Sequence, residues 1–216
     1  MAEPVKTRRY ESPRRREQAA ATRLAILDAA ERLFVRDGYV ATTMAAIARE
    51  AGVAPKTVYL AFDTKSGLLR ALWHLRLRGD EEAVPIGERP WYRAVLAEPD
   101  AERALRLGAR QARLVKERAG ALLGVIRSAA SADADARELW DRIESDFYAN
   151  QRAVVQALHE RGALRVDVDR GAAVMWTLNH PDVWRLLVGE RGWTPEAWEQ
   201  WFAETVCAQL LLASPS

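Results

Sequence analysis

Thr42-Thr43-Met44-Ala45-Ala46-Ile47-Ala48-Arg49-Glu50-Ala51-Gly52-Val53-Ala54-Pro55-Lys56-Thr57-Val58-Tyr59 says more about architecture than any other part of this chain. It reads as two short helices broken at a glycine. Ile47, Ala48 and Ala51 recur at helical spacing on one side, and the small Ala48 lets a second helix cross close behind it. Gly52 falls where a tight turn needs positive φ, a region open to glycine without strain. Pro55 suits a first helical position, because the N–H it lacks would have no partner there. Two helices joined by a short turn containing glycine form the helix-turn-helix pattern. In it the N-terminal residues of the second helix meet base edges in the major groove.

The flanking residues extend the pattern. Ile26, Leu27, Ala30, Leu33 and Phe34 recur at three and four residues, which predicts an amphipathic helix ending near Gly38-Tyr39. Phe62-Asp63-Thr64-Lys65-Ser66-Gly67-Leu68-Leu69 closes the second short helix and opens another. From about Arg23 to Leu72 this succession closely resembles the N-terminal domain of TetR-family transcriptional regulators. The matching residues are Ala30-x-x-Leu33-Phe34, Gly38-Tyr39, Thr42-Thr43, Ile47-Ala48, Ala51-Gly52-Val53, Thr57-Val58-Tyr59, Phe62 and Lys65. A lone helix-turn-helix pattern is unspecific, whereas these matches, in order over about fifty residues, are specific. Over the rest of the chain the resemblance is architectural only.

The resemblance implies DNA contacts from Thr42, Thr43, Lys56, Thr57, Tyr59 and Lys65. The residues themselves agree. The start of the second short helix offers free N–H groups and partial positive charge, both suited to phosphate or a base acceptor. Lys56 can donate to guanine O6 and N7 or bind a phosphate; only the first carries sequence information. Thr43 both caps the first short helix and offers a hydroxyl. Three positions depart from the family pattern. Ala54 stands where a capping Ser is common, and Leu60 and Ala61 where larger polar or aromatic residues are common. Direct base reading is therefore expected to be sparse, with more left to Lys56, basic flanks and DNA shape.

Charge is unevenly divided along the 216 residues. Residues 1–80 carry 15 Lys or Arg against 9 Asp or Glu, and residues 81–216 carry 17 against 21. A basic front and an acidic back fit a polyanion-binding module attached to something that is not one. With 49% hydrophobic residues and a mean hydropathy of −0.25, the chain can bury a sizeable core. All eight Trp lie at or beyond Trp73. Residues 1–18, with Arg14, Arg15 and Arg16 among their cations, read as a flexible basic arm for phosphate or minor-groove contact. Residues 19–78 read as the helix-turn-helix DNA-binding domain. Residues 79–216 read as a larger helical domain for ligand binding and dimerisation, with a linker at 79–90. The expected fold is all-α, with about nine or ten helices. A long helix is expected to end near Gly120, with a short buried one after it.

Cys207 is the single cysteine, which excludes an internal disulfide and a Cys-cluster metal site. No metal site and no cofactor is expected. No apolar run is long enough to span a membrane and no secretion signal is present, so a cytoplasmic location is expected.

Relatives of this kind usually release DNA when a small molecule fills a pocket in the C-terminal helices. Candidate lining residues are Trp140, Phe147, Tyr148, Trp176, Asn179 and His180, although aromatics at helical spacing suit a plain core equally. The resemblance places a dimer interface on the last two long helices. The last one carries Trp198, Trp201, Phe202, Thr205 and Gln209 on a wide apolar stripe. A homodimer presents two recognition helices to grooves about 34 Å apart, or a multiple of that, and so expects a near-palindromic double-stranded operator. The function expected is that of a ligand-released repressor. A ligand-independent regulator or activator is the alternative, and an all-helical enzyme with a basic module a more remote one. No nucleophile, base and orienting set supports the last: the chain has three His, one Cys and no glycine-rich phosphate loop after a strand.

Overall fold

The computed structural model describes residues 13–78 and 86–212. These form ten α-helices and no strand, with one isolated antiparallel bridge between Leu164 and Leu211. The helices are α1 (Pro13–Asp37), α2 (Met44–Glu50), α3 (Pro55–Phe62), α4 (Lys65–Arg78), α5 (Pro90–Ala97), α6 (Ala101–Ala129), α7 (Ala134–Glu160), α8 (Val168–Leu178), α9 (Pro181–Trp184) and α10 (Pro195–Leu210). A 3₁₀ turn at Ile86–Glu88 precedes α5, and a π-helical turn at Arg185–Glu190 follows α9.

Local chemistry sets most of these boundaries. Thr43, Asp100, Asp133, Asp167 and Thr194 each accept a hydrogen bond from the backbone N–H three residues on. That satisfies one of the donors a helix start leaves unpaired. Proline opens α3, α5, α9 and α10. Gly52 takes φ +67° in the turn between α2 and α3, as its place in the motif requires. Among the described residues no helix is long and apolar enough to cross a membrane.

Three boundaries differ from expectation. α1 starts at Pro13, so Arg14, Arg15 and Arg16 are exposed residues of a helix and not of an arm. The rest of the expected arm, residues 1–12, lies outside the described residues, as do positions 79–85 of the expected linker. α6 passes through Gly120 without a break, so the expected short helix at 122–126 is its last turns. Gly120 and Gly124 keep ordinary helical φ, and the long apolar face carries the helix past them at a cost of about 1 kcal/mol each. A 3₁₀ turn at Ile86–Glu88 occupies the end of the expected linker at 79–90, and α5 opens at its last residue, Pro90.

Two cores organise the chain. The first joins Ile26, Ala30 and Phe34 of α1, Ile47 of α2, Val58 of α3 and Leu68, Leu69 and Leu72 of α4. It continues without interruption into Leu122 and Ile126 of α6 and Leu139 and Ile143 of α7. The expected boundary after residue 78 therefore does not separate α1–α4 from the packing of α6 and α7. The second core gathers Leu105 and Ala109 of α6, Val155 and Leu158 of α7, Met175 of α8, and Trp198, Phe202 and Val206 of α10.

The corner between α3 and α4 is tight. Asp63 has φ 62° and Thr64 N donates to Phe62 O at 2.7 Å, a γ-turn that reverses the chain after the recognition helix. Gly67 packs so closely beneath it that a Cβ would sit 2.5 Å from Phe62 O. Since that neighbour is backbone, Gly67→Ala is expected to lower stability by about 1–3 kcal/mol, read as a fall in the thermal unfolding midpoint.

Candidate nucleic-acid interface and internal cavity

α3 is held from behind and bare in front. Val58 and Phe62 are buried in the first core. Arg23 reaches across from α1, donating from Nη1 to Ala61 O at 2.9 Å and lying 4.2 Å over the Phe62 ring. On the opposite side Lys56, Tyr59 and Leu60 are exposed, Leu60 at 78%, and Thr57 is half-exposed. Lys56 has no hydrogen bond or ion pair among the described residues. Ala54 caps α3 with its backbone alone. The helix thus presents one free cation, one phenol and one bare aliphatic side chain.

Thr43 is exposed, but its hydroxyl already accepts from Ala46 N at 3.1 Å. Thr42 departs from the expected contact set: it is 2% exposed and its hydroxyl donates to Gly38 O at 2.8 Å. Its side chain braces the turn before α2 and is not presented outward. Lys65 is likewise turned inward. Its Nζ donates to Tyr39 O at 2.9 Å and Thr42 O at 3.0 Å and lies 4.2 Å from the Tyr39 ring centroid. Burial lowers its pKa from the usual lysine value. Its first duty is structural, tying the head of α4 to the loop before α2.

That same loop is tied to α7. Tyr39 Oη donates to Asp133 Oδ2 at 2.6 Å, and Ser66 Oγ donates to Asp135 Oδ2 at 2.9 Å. Burial pushes the Asp133 carboxyl upward, but hydrogen bonds from Tyr39 and from the backbone N–H groups of Ala136 and Asp135 outweigh it. The net shift is downward. The α7 N-cap is therefore a carboxylate that also fixes the DNA-binding module.

Behind these contacts lies a cavity of about 500 Å³, within the range of small-molecule sites. α4 contributes Trp73, His74 and Leu77, α5 contributes Trp91 and Tyr92, and α6, α7 and α8 supply most of the rest, with Pro181 of α9 and Phe202 of α10. Of the residues expected to line a pocket, Phe147 and Asn179 do so. Trp140, Tyr148, Trp176 and His180 do not. Trp140 packs against the first core, and Tyr148 and His180 lie edge-on to Trp176. His180 opens α9, its Nδ1 accepting from Asp182 N at 3.2 Å.

Lys116 lies outside the set of site residues expected from the sequence, and its place on the apolar face of α6 is the signal that could have found it. It is 6% exposed and lines the cavity. Its Nζ donates to Asn179 Oδ1 and lies 4.6 Å from the Trp198 ring centroid. Asn179 in turn donates to Gln151 Oε1 at 3.3 Å. Burial lowers the Lys116 pKa from 10.5 to about 7. Between those two pH values the unfolded chain holds a proton that the folded chain releases, so stability attributable to this group rises with pH across the window. Below about pH 7 both states are protonated and the full burial cost stands. Lys116→Met is expected to be more stable than wild type at about pH 6.5, with the gap narrowing by about pH 9.5. Urea unfolding at the two pH values checks this.

The stripe on α10 divides in two. Trp198 and Phe202 are 0% and 2% exposed, stacked on each other at 5.1 Å within the subunit core, with Trp184 edge-on to Trp198. They are not available to a second copy. The reason is that α6 crosses α10 on the side where these two large rings project. Trp201 and Thr205 are half-buried and Gln209 is exposed. Cys207 is half-buried and its thiol pKa is raised by burial, the opposite of an activated thiol.

Residues 26–72 match the model of the bacterial regulatory proteins of the tetR family. Over 59 residues the chain is 44% identical to the HTH-type transcriptional regulator TtgR of Pseudomonas putida. That alignment covers 27% of this chain and 28% of TtgR, so the chain spans less than a third of the relative it matches. Likeness in fold runs further. A Saccharomonospora viridis protein in complex with choline superposes with a TM-score of 0.70 at 18% identity, covering 90% of this chain and 100% of that one. NalD, the secondary repressor of the MexAB-OprM multidrug efflux pump in Pseudomonas aeruginosa, gives 0.69 at 22% identity, covering 90% and 98%. The helix-turn-helix at residues 26–72 is thus that of the tetR family of bacterial regulatory proteins, and the all-helical fold behind it is shared with the two solved structures.

Proposed function

We propose that this protein is a homodimeric transcriptional repressor that binds a near-palindromic operator and is released from it by a small molecule in the cavity. One observation carries the reading: the helices that line the cavity are those that hold the recognition helix. α4 begins at the Lys65 and Ser66 contacts beneath the helix-turn-helix and continues to Trp73, His74 and Leu77 on the cavity wall. α7 begins at Asp133 and Asp135 and continues to Leu139, Ile143 and Phe147 on the same wall. A molecule that prefers one arrangement of α4 and α7 must shift the recognition helix by the corresponding coupling free energy. The choline held by the Saccharomonospora viridis protein and the repressor role of NalD support the same reading. The dimer places two copies of Lys56, Thr57 and Tyr59 on successive major grooves, with Trp201, Thr205 and Gln209 left for the interface. Arg14, Arg15 and Arg16 add phosphate contacts from the first turns of α1.

Fluorescence anisotropy with labelled duplex DNA tests the reading. Affinity is expected to fall steeply with salt, by roughly 0.9 log units per phosphate contact for each tenfold rise. Salt-independent binding, or none, overturns it. The Tyr39–Asp133 bond has its own consequence. Tyr39→Phe removes a hydrogen bond to a carboxylate and is expected to cost about 1.5–3 kcal/mol. Because Asp133 is held below its ordinary carboxyl value, that stability is full above about pH 4 and is lost as the pH falls through the lower folded value. The wild-type advantage over Tyr39→Phe should therefore shrink in acid unfolding experiments.

A further inference from the structure

We infer that the effector is an apolar organic anion, a carboxylate-bearing molecule whose charged end meets Lys116 while its body lies against the aromatic walls. This rests on the reading of the cavity as the effector site.

Among the described charged residues lining the cavity, Lys116 alone is more than nine-tenths buried; Arg70 is only half-buried. Arg70 and His74 of α4 and Glu138, Arg142, Glu144 and Asp146 of α7 also line it. Glu138 and Arg142 are exposed and pair with each other at 2.8 Å, and Asp146 is exposed. Glu144 retains 25% of its side-chain surface, and its Oε2 lies 3.6 Å from His180 Nε2. Its Oε1 is buried without a partner among the described residues, and its Oε2 faces the His180 imidazole. Lys116 is the more deeply buried of the two. No carboxylate lies within 4 Å of it among the described residues, and its hydrogen bond there is to the neutral Asn179. The most deeply buried ionisable group on the wall is therefore a base with no countercharge beside it among the described residues.

An ammonium carries three donors, and one is occupied by Asn179. A carboxylate supplies two acceptor oxygens for the remaining two, together with the missing countercharge. A neutral acceptor supplies the hydrogen bond without the charge, and a quaternary ammonium supplies neither. Around this point the wall is apolar: Trp91, Leu105, Val115, Phe147, Met175 and Phe202. A molecule with one anionic end and an aliphatic or aromatic body satisfies both surfaces.

Three probes of equal chain length test this on the full-length protein: decanoate, decanol and decyltrimethylammonium. Binding is followed through the intrinsic fluorescence of the Trp residues, of which Trp73 and Trp91 line the cavity. Decanoate is expected to bind at least about tenfold more tightly than either other probe. Lys116→Met is expected to lose about 10- to 100-fold of that affinity and none of the affinity for decanol. Decanol or the quaternary ammonium matching decanoate on the wild type, or an undiminished decanoate affinity in Lys116→Met, overturns the anion assignment while leaving an occupied cavity. Silence of all three probes on the wild type removes the cavity reading as well. The wild-type ranking stands whether or not the variant folds.

Discussion

Lys56→Ala is expected to weaken duplex binding about 100-fold near 0.1 M salt. Each phosphate contact contributes roughly 0.9 to the slope of log affinity against log salt, or about tenfold in affinity at that concentration, and a dimer carries two copies. Lys56 is the exposed, unpaired cation on α3, so no intramolecular bond is lost with it and the unfolding midpoint should hold. The salt slope should fall by about two. The same titrations decide what Lys56 touches. A uniform loss across operator variants marks a phosphate contact, whereas loss of preference at one base pair marks a guanine contact of about 1–3 kcal/mol. Unchanged affinity would mean that α3 is not the helix that meets DNA.

Trp198→Ala is expected to be the most destabilising single change, costing about 3–5 kcal/mol. The side chain is fully buried between Phe202 and Trp184 and covers the Lys116 ammonium. Its removal leaves a void beside a buried charge, and two penalties then act together. The expected result is a large drop in the unfolding midpoint measured by circular dichroism. A variant that stays fully folded but sediments as a monomer would show instead that this part of α10 faces a second copy.

These two residues mark how far the sequence could be read. The helix-turn-helix was legible because its determinants are local: Thr43 caps, Gly52 turns, Pro55 starts, and no distant residue is needed to interpret them. The stripe on α10 was legible as a stripe, but a periodic pattern does not say what it faces. Only the crossing of α6 turns Trp198 and Phe202 inward and leaves Gln209 outside. Gly120 misled because the cost of one helical glycine is small beside the apolar face of a 29-residue helix. Lys65 and Thr42 carry the right chemistry for phosphate, yet nearby carbonyls claim them first. Tyr39 and Asp133 are 94 positions apart, and nothing in either neighbourhood announces the other. Lys116 was visible as a cation on an apolar face; its meaning required the cavity.

The joint placement of α4 and α7 joins the DNA-binding module to the cavity. Both helices touch the recognition helix's support at one end and the cavity at the other, which is the arrangement on which the proposed link between occupancy and DNA affinity rests. Whether α3 reads DNA as one half of a two-fold pair is decided by selecting bound sequences from random duplex DNA. The expected recovery is a near-palindrome with half-sites about one helical turn apart, or a multiple of it. Recovery of no preferred sequence would contradict a dimeric, sequence-reading repressor.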